Sequence, residues 1–215
     1  MIELLVATTN RGKFAEVESS LKHLPLKILP LQSLGNFPVV IEDGATYEEN
    51  AIKKARTLAE YSGYVTLADD SGLEVDALNG APGIYSARYS GEEGNDQKNN
   101  DKLLVVLKHV PDEKRTARFV CVLALCGPNS SGMKGWTVRE SCEGRIAFAP
   151  KGSSGFGYDP IFFYPPWGMT FGEIDRDTKA RVSHRGKALK KLAQILPSII
   201  RSWDKTLISK PACVE

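Results

Sequence analysis

Residues 65–91, VTLADDSGLEVDALNGAPGIYSARYSG, are the stretch whose reading decides the fold. An apolar run from Val65 to Ala68 meets two adjacent carboxylates, Asp69 and Asp70. Ser71-Gly72 reads as a turn, since Gly reaches positive φ and Asp and Ser bond their own backbone. Leu73, Val75 and Ala77 then alternate with Glu74 and Asp76, the period of a half-buried strand. On this reading a strand delivers its acids into a turn at a sheet edge or mouth, where a cation or an activated water is held. The plainer alternative makes Asp-Ser-Gly ordinary turn chemistry and nothing more. The flanking sequence has to separate the two.

Toward the N-terminus, residues 2–7, IELLVA, read as a buried strand, followed by TTNRGK and a helical spacing of Phe14, Val17 and Leu21. Strand, polar turn and helix aim backbone N–H groups and a helix N-terminus at an anion. Thr8, Thr9 and Asn10 add side-chain donors, and Arg11 and Lys13 add positive charge. With Gly12 as its one glycine, this is not a Walker loop, which needs two. The alternative is a capped helix entry with Asn10 as the cap. Leu26 to Leu31 reads as a short second strand, and residues 32–45 as a loop carrying a second acidic turn, Glu42-Asp43-Gly44. Thr46 opens a helix with capping-box spacing to Glu49; Ala51, Ala55, Leu58 and Ala59 form its buried stripe and Gly63 its end. Lys53, Lys54 and Arg56 form a solvated face, or one of them looks back at residues 8–13.

Toward the C-terminus, GEEGNDQKNNDK (91–102) reads as a polar loop leading into a helix lined by Leu103, Leu104, Leu107 and Val110. Residues 116–126 are a strongly apolar strand. A long turn begins at Gly127-Pro128, residues 135–143 return antiparallel, and 145–149 form a further short strand. PKGSSGFGYDPIFFYPPWG (150–168) has glycines on both sides of Phe156, which let backbone approach a flat ligand while the ring offers a stacking face. Lys179 precedes SHRGKAL, which opens a helix with Leu189, Leu192, Ile195 and Leu196 as its stripe and Pro197 kinking or restarting it. His184 and Arg185 in the first turn oppose the helix dipole, which points to an anionic or carbonyl-bearing partner.

The whole composition suits these parts. The 215 residues amount to one domain, or two lobes sharing a core, and no linker marks a boundary. A net charge near +2 argues against a nucleic-acid clamp. Four cysteines (Cys121, Cys126, Cys142, Cys213) lack C-x-x-C spacing, which disfavours a zinc or redox motif. No apolar run approaches membrane-spanning length, so a cytoplasmic protein is expected. The elements combine local hairpins with helical crossovers, so the chain is mixed α and β. The acids Glu42, Asp69 and Asp70 suit Mg²⁺, a hard cation commonly held by one or two carboxylates plus phosphates. Arg11, Lys13 and Lys54 suit the phosphates, and Phe156, Lys179 and Arg185 suit a base.

TTNRGK, EENAIKKAR, ADDSGLEVDALNGAPGIYSARYSG, GSSGFGYDPIF, TFGEI and SHRGKAL, in this order, resemble the inosine triphosphate pyrophosphatase family. That resemblance runs from about Leu4 to Leu196. It implies a long central mixed β-sheet with helices on both faces, two lobes around a substrate cleft, and a homodimer. It implies hydrolysis of the non-standard purine nucleotides ITP, dITP and XTP to monophosphate and pyrophosphate. Thr8, Thr9, Asn10, Arg11, Gly12, Lys13 and Lys54 would line the triphosphate. Glu42 and Asp70 would hold Mg²⁺, Asp70 would accept the proton with Asp69 in support, and Ser71 would touch substrate. Phe156, Gly157, Tyr158, Asp159, Lys179, His184 and Arg185 would form the base pocket. Residues 1–202 would be the pyrophosphatase domain and 203–215 a frayed tail. A pyrophosphatase for other modified bases, or a non-catalytic nucleotide-binding module, is the alternative.

Overall fold

A computed structural model describes residues 2–92, 94–129 and 132–201. Five helices are described: α1 (Arg11–Leu21), α2 (Tyr47–Ser62), α3 (Asp96–Val106), α4 (Arg176–Ala180) and α5 (His184–Arg201). Seven strands are described: β1 (Ile2–Ala7), β2 (Leu26–Pro30), β3 (Val65–Val75), β4 (Thr116–Asn129), β5 (Gly132–Ile146), β6 (Phe162–Tyr164) and β7 (Met169–Thr170). They form one open sheet in the order β2-β1-β3-β4-β5-β6-β7. β1 pairs parallel with β2 and with β3, Leu4 opposite both Ile28 and Val65. Parallel neighbours need crossovers, and α1 and α2 supply them. β5–β6 and β6–β7 are antiparallel, so the sheet is mixed.

The chain gathers into two compact units. One holds the described residues up to Asp70, Val122–Arg139 and those from Ala188 onward; the other holds Ser71–Cys121 and Glu140–Lys187. In the first, Leu4 to Ala7 of β1 are buried, as are Val17 and Leu21 of α1 and Ala51, Ala55, Leu58 and Ala59 of α2. Each fully buried Val or Leu contributes about 1.5–3 kcal/mol. In the second, one cluster joins Leu73, Val75, Leu103, Leu107, Phe119, Phe162 and Phe171. The helix ends follow local chemistry. Asn10 caps α1 by accepting the Lys13 N–H at 3.0 Å, Thr46 caps α2 through the Glu49 N–H, and Gly63 ends α2 at φ 72°.

Five expectations need correction. There is no turn at Ser71-Gly72: β3 runs unbroken through Asp69, Asp70, Ser71 and Gly72 to Val75, and Ala77 lies exposed in a 3₁₀ turn beyond it. The β1 register ends at Ala68, and with β4 as the neighbour on its other side, strand pairing outweighs the turn preference of Asp-Ser-Gly. α3 begins at Asp96, inside the stretch read as a loop, because Asn95 caps it by accepting the Lys98 N–H. β4 and β5 extend to Asn129 and from Gly132, which leaves no long turn, and β5 absorbs Arg145 and Ile146. Pro197 lies inside α5 without restarting it. The 203–215 tail and Cys213 lie outside the described residues. Cys121, Cys126 and Cys142 are buried.

Candidate active site

In the first unit the acids and lysines form two linked pairs. Lys13, in the first turn of α1, reaches across 56 positions to Asp69 on β3, Nζ to Oδ1 at 2.5 Å. Lys54 of α2 pairs with Glu42 at 2.7 Å and donates to the Asp69 carbonyl at 3.3 Å. Lys54 is thus the lysine that turns inward, while Lys53 pairs on the surface with Asp43. The loop carrying Glu42 is pinned by Asn50, whose Oδ1 accepts the Gly44 N–H at 2.8 Å. Asn50 is buried beside the apolar stripe of α2, and a buried Asn there is itself a sequence signal of a loop to be held.

Asp70 stands apart from these pairs. It is 6% exposed, and its Oδ2 has no hydrogen-bond partner among the described residues. Burial pushes its carboxyl up to about 6; Glu42 and Asp69 push the same way, against Lys54 and Lys13. A buried carboxylate whose oxygen lacks a donor is a strained arrangement that a cation or a water proton relieves. Of the two acids, Asp69 is in direct contact with Lys13, whereas Asp70 Oδ2 has no donor among the described residues.

Among the described residues, no three His, Cys, Asp or Glu side chains converge as a ready metal cage. The oxygen donors of Glu42 and the orphaned Oδ2 of Asp70 nevertheless fit Mg²⁺, which takes few protein carboxylates and completes its shell with phosphates and water. Thr8, Thr9, Asn10 and Arg11 follow β1 at the start of α1. Thr9, Asn10 and Arg11 are exposed, and the Thr8 hydroxyl accepts the Asn10 N–H at 3.2 Å.

In the second unit a different group assembles around Phe156. Asp159 and Lys179 form a buried pair at 2.6 Å, and Asp159 Oδ2 also accepts the Phe156 N–H at 2.9 Å. Gly155 has φ 79°, and a Cβ there would stand 2.0 Å from that Oδ2, so only glycine fits. Lys179 Nζ lies 4.9 Å from the Phe156 ring centre, and the Arg185 guanidinium 5.5 Å, both within cation–π range. Arg185, 2% exposed, also donates to Ser71 Oγ at 3.0 Å. His184 stacks on Phe119 at 4.6 Å. The SHRG motif has a steric reason as well: a Cβ on Gly186 would approach the Ala180 carbonyl to 1.8 Å, so α5 begins only where a glycine lets it pass α4.

Tyr158 plays a supporting part. Its ring is in the aromatic core and its hydroxyl donates to the Ser86 carbonyl at 2.8 Å, with burial holding the phenol above its usual range. Ser86 Oγ in turn accepts the Leu73 N–H at 2.8 Å. Ser86 thereby ties the segment 83–90 to β3 three residues beyond Asp70, a link with no local sequence signal.

Fold and side-chain groups define the class: an α/β protein with an acid–lysine cluster suited to a cation and phosphates, and an aromatic–cation group suited to a flat ring bearing carbonyls. The chain belongs to the Ham1 family, whose model matches residues 4–195. It is 50% identical over 198 residues to a dITP/XTP pyrophosphatase of Syntrophobacter fumaroxidans, covering 92% of this chain and 83% of that one. It is 51% identical over 189 residues to a dITP/XTP pyrophosphatase of Geobacter sulfurreducens, covering 88% and 94%. Among solved structures, a Ham1 protein from Coxiella burnetii matches with a TM-score of 0.83 at 41% identity, over 92% of this chain and 100% of that one. The Staphylococcus aureus Ham1 protein matches with a TM-score of 0.81 at 38% identity, over 92% and 99%.

Proposed function

We propose that this chain hydrolyses non-standard purine nucleoside triphosphates, ITP, dITP and XTP, to the monophosphate and pyrophosphate, with Mg²⁺ as cofactor. The observation that carries the reading is Asp70: a buried carboxylate with an unpartnered oxygen, next in sequence to an acid already neutralised by lysine. Its raised affinity for a proton suits it to accept one from the attacking water. Lys13, Lys54 and the residues from Thr8 to Gly12 meet the negative charge of the triphosphate. Glu42 and Asp70 would hold Mg²⁺; the chemistry that ion supplies is phosphate charge neutralisation and a more acidic water. Covalent work by the protein is small, and positioning supplies most of the rate.

Base selection follows from donor and acceptor identity. Hypoxanthine and xanthine carry a 6-keto acceptor, whereas adenine carries a 6-amino donor. Lys179 and Arg185 only donate, so adenine leaves buried donors facing a donor, a penalty of about 1–3 kcal/mol. Phe156 supplies the stacking face. The names of the relatives as dITP/XTP pyrophosphatases support the same substrates. A homodimer in the cytoplasm completes the reading; among the described residues no helix is long and apolar enough to cross a membrane. The test is pyrophosphate release from ITP, dITP and XTP against ATP, dATP and GTP, with and without Mg²⁺ or a chelator. Release from ITP, dITP and XTP in preference to ATP, dATP and GTP that stops with chelator supports the reading; binding without release, or cleavage of an oligonucleotide instead, refutes it.

A further inference from the structure

One face of α3 holds the Phe156 segment through two side chains. Asp96 and Asn100 stand four residues apart and therefore share one face of the helix. Asp96 Oδ2 accepts the Gly157 N–H at 2.6 Å, and Asn100 Nδ2 donates to the Gly157 carbonyl at 3.0 Å. Both polar groups of one residue are thus held by one helix, and Gly157 has φ 63°, a conformation open to glycine and rarely taken by other residues. Immediately before it, the Phe156 N–H is held by Asp159. Asn99, beside Asn100, brackets another segment in the same manner: its Oδ1 accepts the Ser90 N–H at 2.7 Å and its Nδ2 donates to the Ala87 carbonyl at 3.2 Å. α3 is anchored in its turn, with Leu103 fully buried and the Leu107 carbonyl accepting from the buried Arg115 guanidinium at 2.7 Å.

We propose that Asp96 and Asn100 are positioning residues for base recognition: by fixing both sides of Gly157 they aim the Phe156 ring, and so set how tightly the purine is held without touching it. The inference rests on the pyrophosphatase reading above. Asp96 is exposed, so its truncation spares the core, and it is the residue to change.

The experiment compares wild type, Asp96→Ala and Asp96→Asn in Mg²⁺-supported hydrolysis of dITP and dATP. Inorganic tripolyphosphate, which has no base, serves as a competitive inhibitor. Asp96→Ala should raise KM for dITP about tenfold with kcat within about twofold, the signature of lost ground-state binding, and should narrow the dITP-over-dATP preference. Its inhibition constant for tripolyphosphate and its melting temperature should match wild type. Asp96→Asn keeps an acceptor for the Gly157 N–H and should recover most of the affinity. An unchanged KM for dITP, an equal weakening toward tripolyphosphate, or no recovery in Asp96→Asn would overturn the proposal while leaving the pyrophosphatase activity intact. A wild type inert toward dITP would overturn both.

Discussion

Replacing Asp70 by Asn should make the metal-free protein more stable while removing its activity. The carboxyl of Asp70 is shifted from 3.8 to about 6, with burial as the leading cause. For an acid shifted upward, the folded state binds the proton more tightly than the unfolded state, so the ionised group opposes folding above the folded value. That opposition is fully present above about pH 6, shrinks as pH falls below it, and is gone only below the unfolded value of 3.8. A shift of about two pK units corresponds to about 3 kcal/mol at 1.36 kcal/mol per unit. The Asn amide is itself buried and imperfectly bonded, which returns about 1–2 kcal/mol of that gain. A net of about 1–2 kcal/mol remains, or about 2–8 °C in melting temperature for a chain of this size. The assay is thermal unfolding of wild type and Asp70→Asn from pH 5 to pH 8 in chelator. The gap should be widest at pH 8 and narrow by about 1.4 kcal/mol by pH 5, where the folded carboxyl has taken its proton while the unfolded one is still ionised. Added Mg²⁺ should stabilise wild type at pH 8 and leave the variant largely unmoved. A variant less stable than wild type at pH 8, or a gap independent of pH, would refute the picture of Asp70 as a desolvated, unanswered carboxylate. Near-normal turnover would remove it from the chemistry.

Other perturbations separate the parts of the site. Arg185→Ala removes a buried donor and a cation from the Phe156 ring, and should lower the ITP-over-ATP ratio of kcat/KM at least about tenfold, about 1.4 kcal/mol; an unchanged ratio takes Arg185 out of base recognition. Asn50→Ala frees the Gly44 N–H and loosens the loop bearing Glu42, so the Mg²⁺ concentration for half-maximal rate should rise several-fold while Asn50→Asp, which keeps an acceptor, stays closer to wild type. Gly186→Ala drives a methyl against the Ala180 carbonyl, and chemical denaturation should show a loss of about 3 kcal/mol or more.

Much of this molecule was legible in order along the chain. Periodicity is a property of neighbours, so the buried β1 strand, the Ala51–Ala55–Leu58–Ala59 stripe and the caps at Asn10, Thr46 and Gly63 follow from residues within a few positions of one another. The motifs bearing Asp70, Lys54, Phe156 and Arg185 could be named for the same reason: each is a local cluster of chemical types. What the sequence could not decide is pairing at a distance. Asp69-Asp70-Ser71-Gly72 has the local chemistry of a turn and became the middle of β3, because ladder bonds to strands far off in sequence outweigh a preference worth about 1 kcal/mol. The partners of the charges were equally hidden. Lys13 finds Asp69 56 positions away, and Arg185 finds Ser71 114 positions away. The first of these contacts decides which of the two acids is paired with a lysine. The sequence determined that two carboxylates would stand side by side; only the tertiary structure, by giving Asp69 a lysine and burying Asp70 without a donor, made them different.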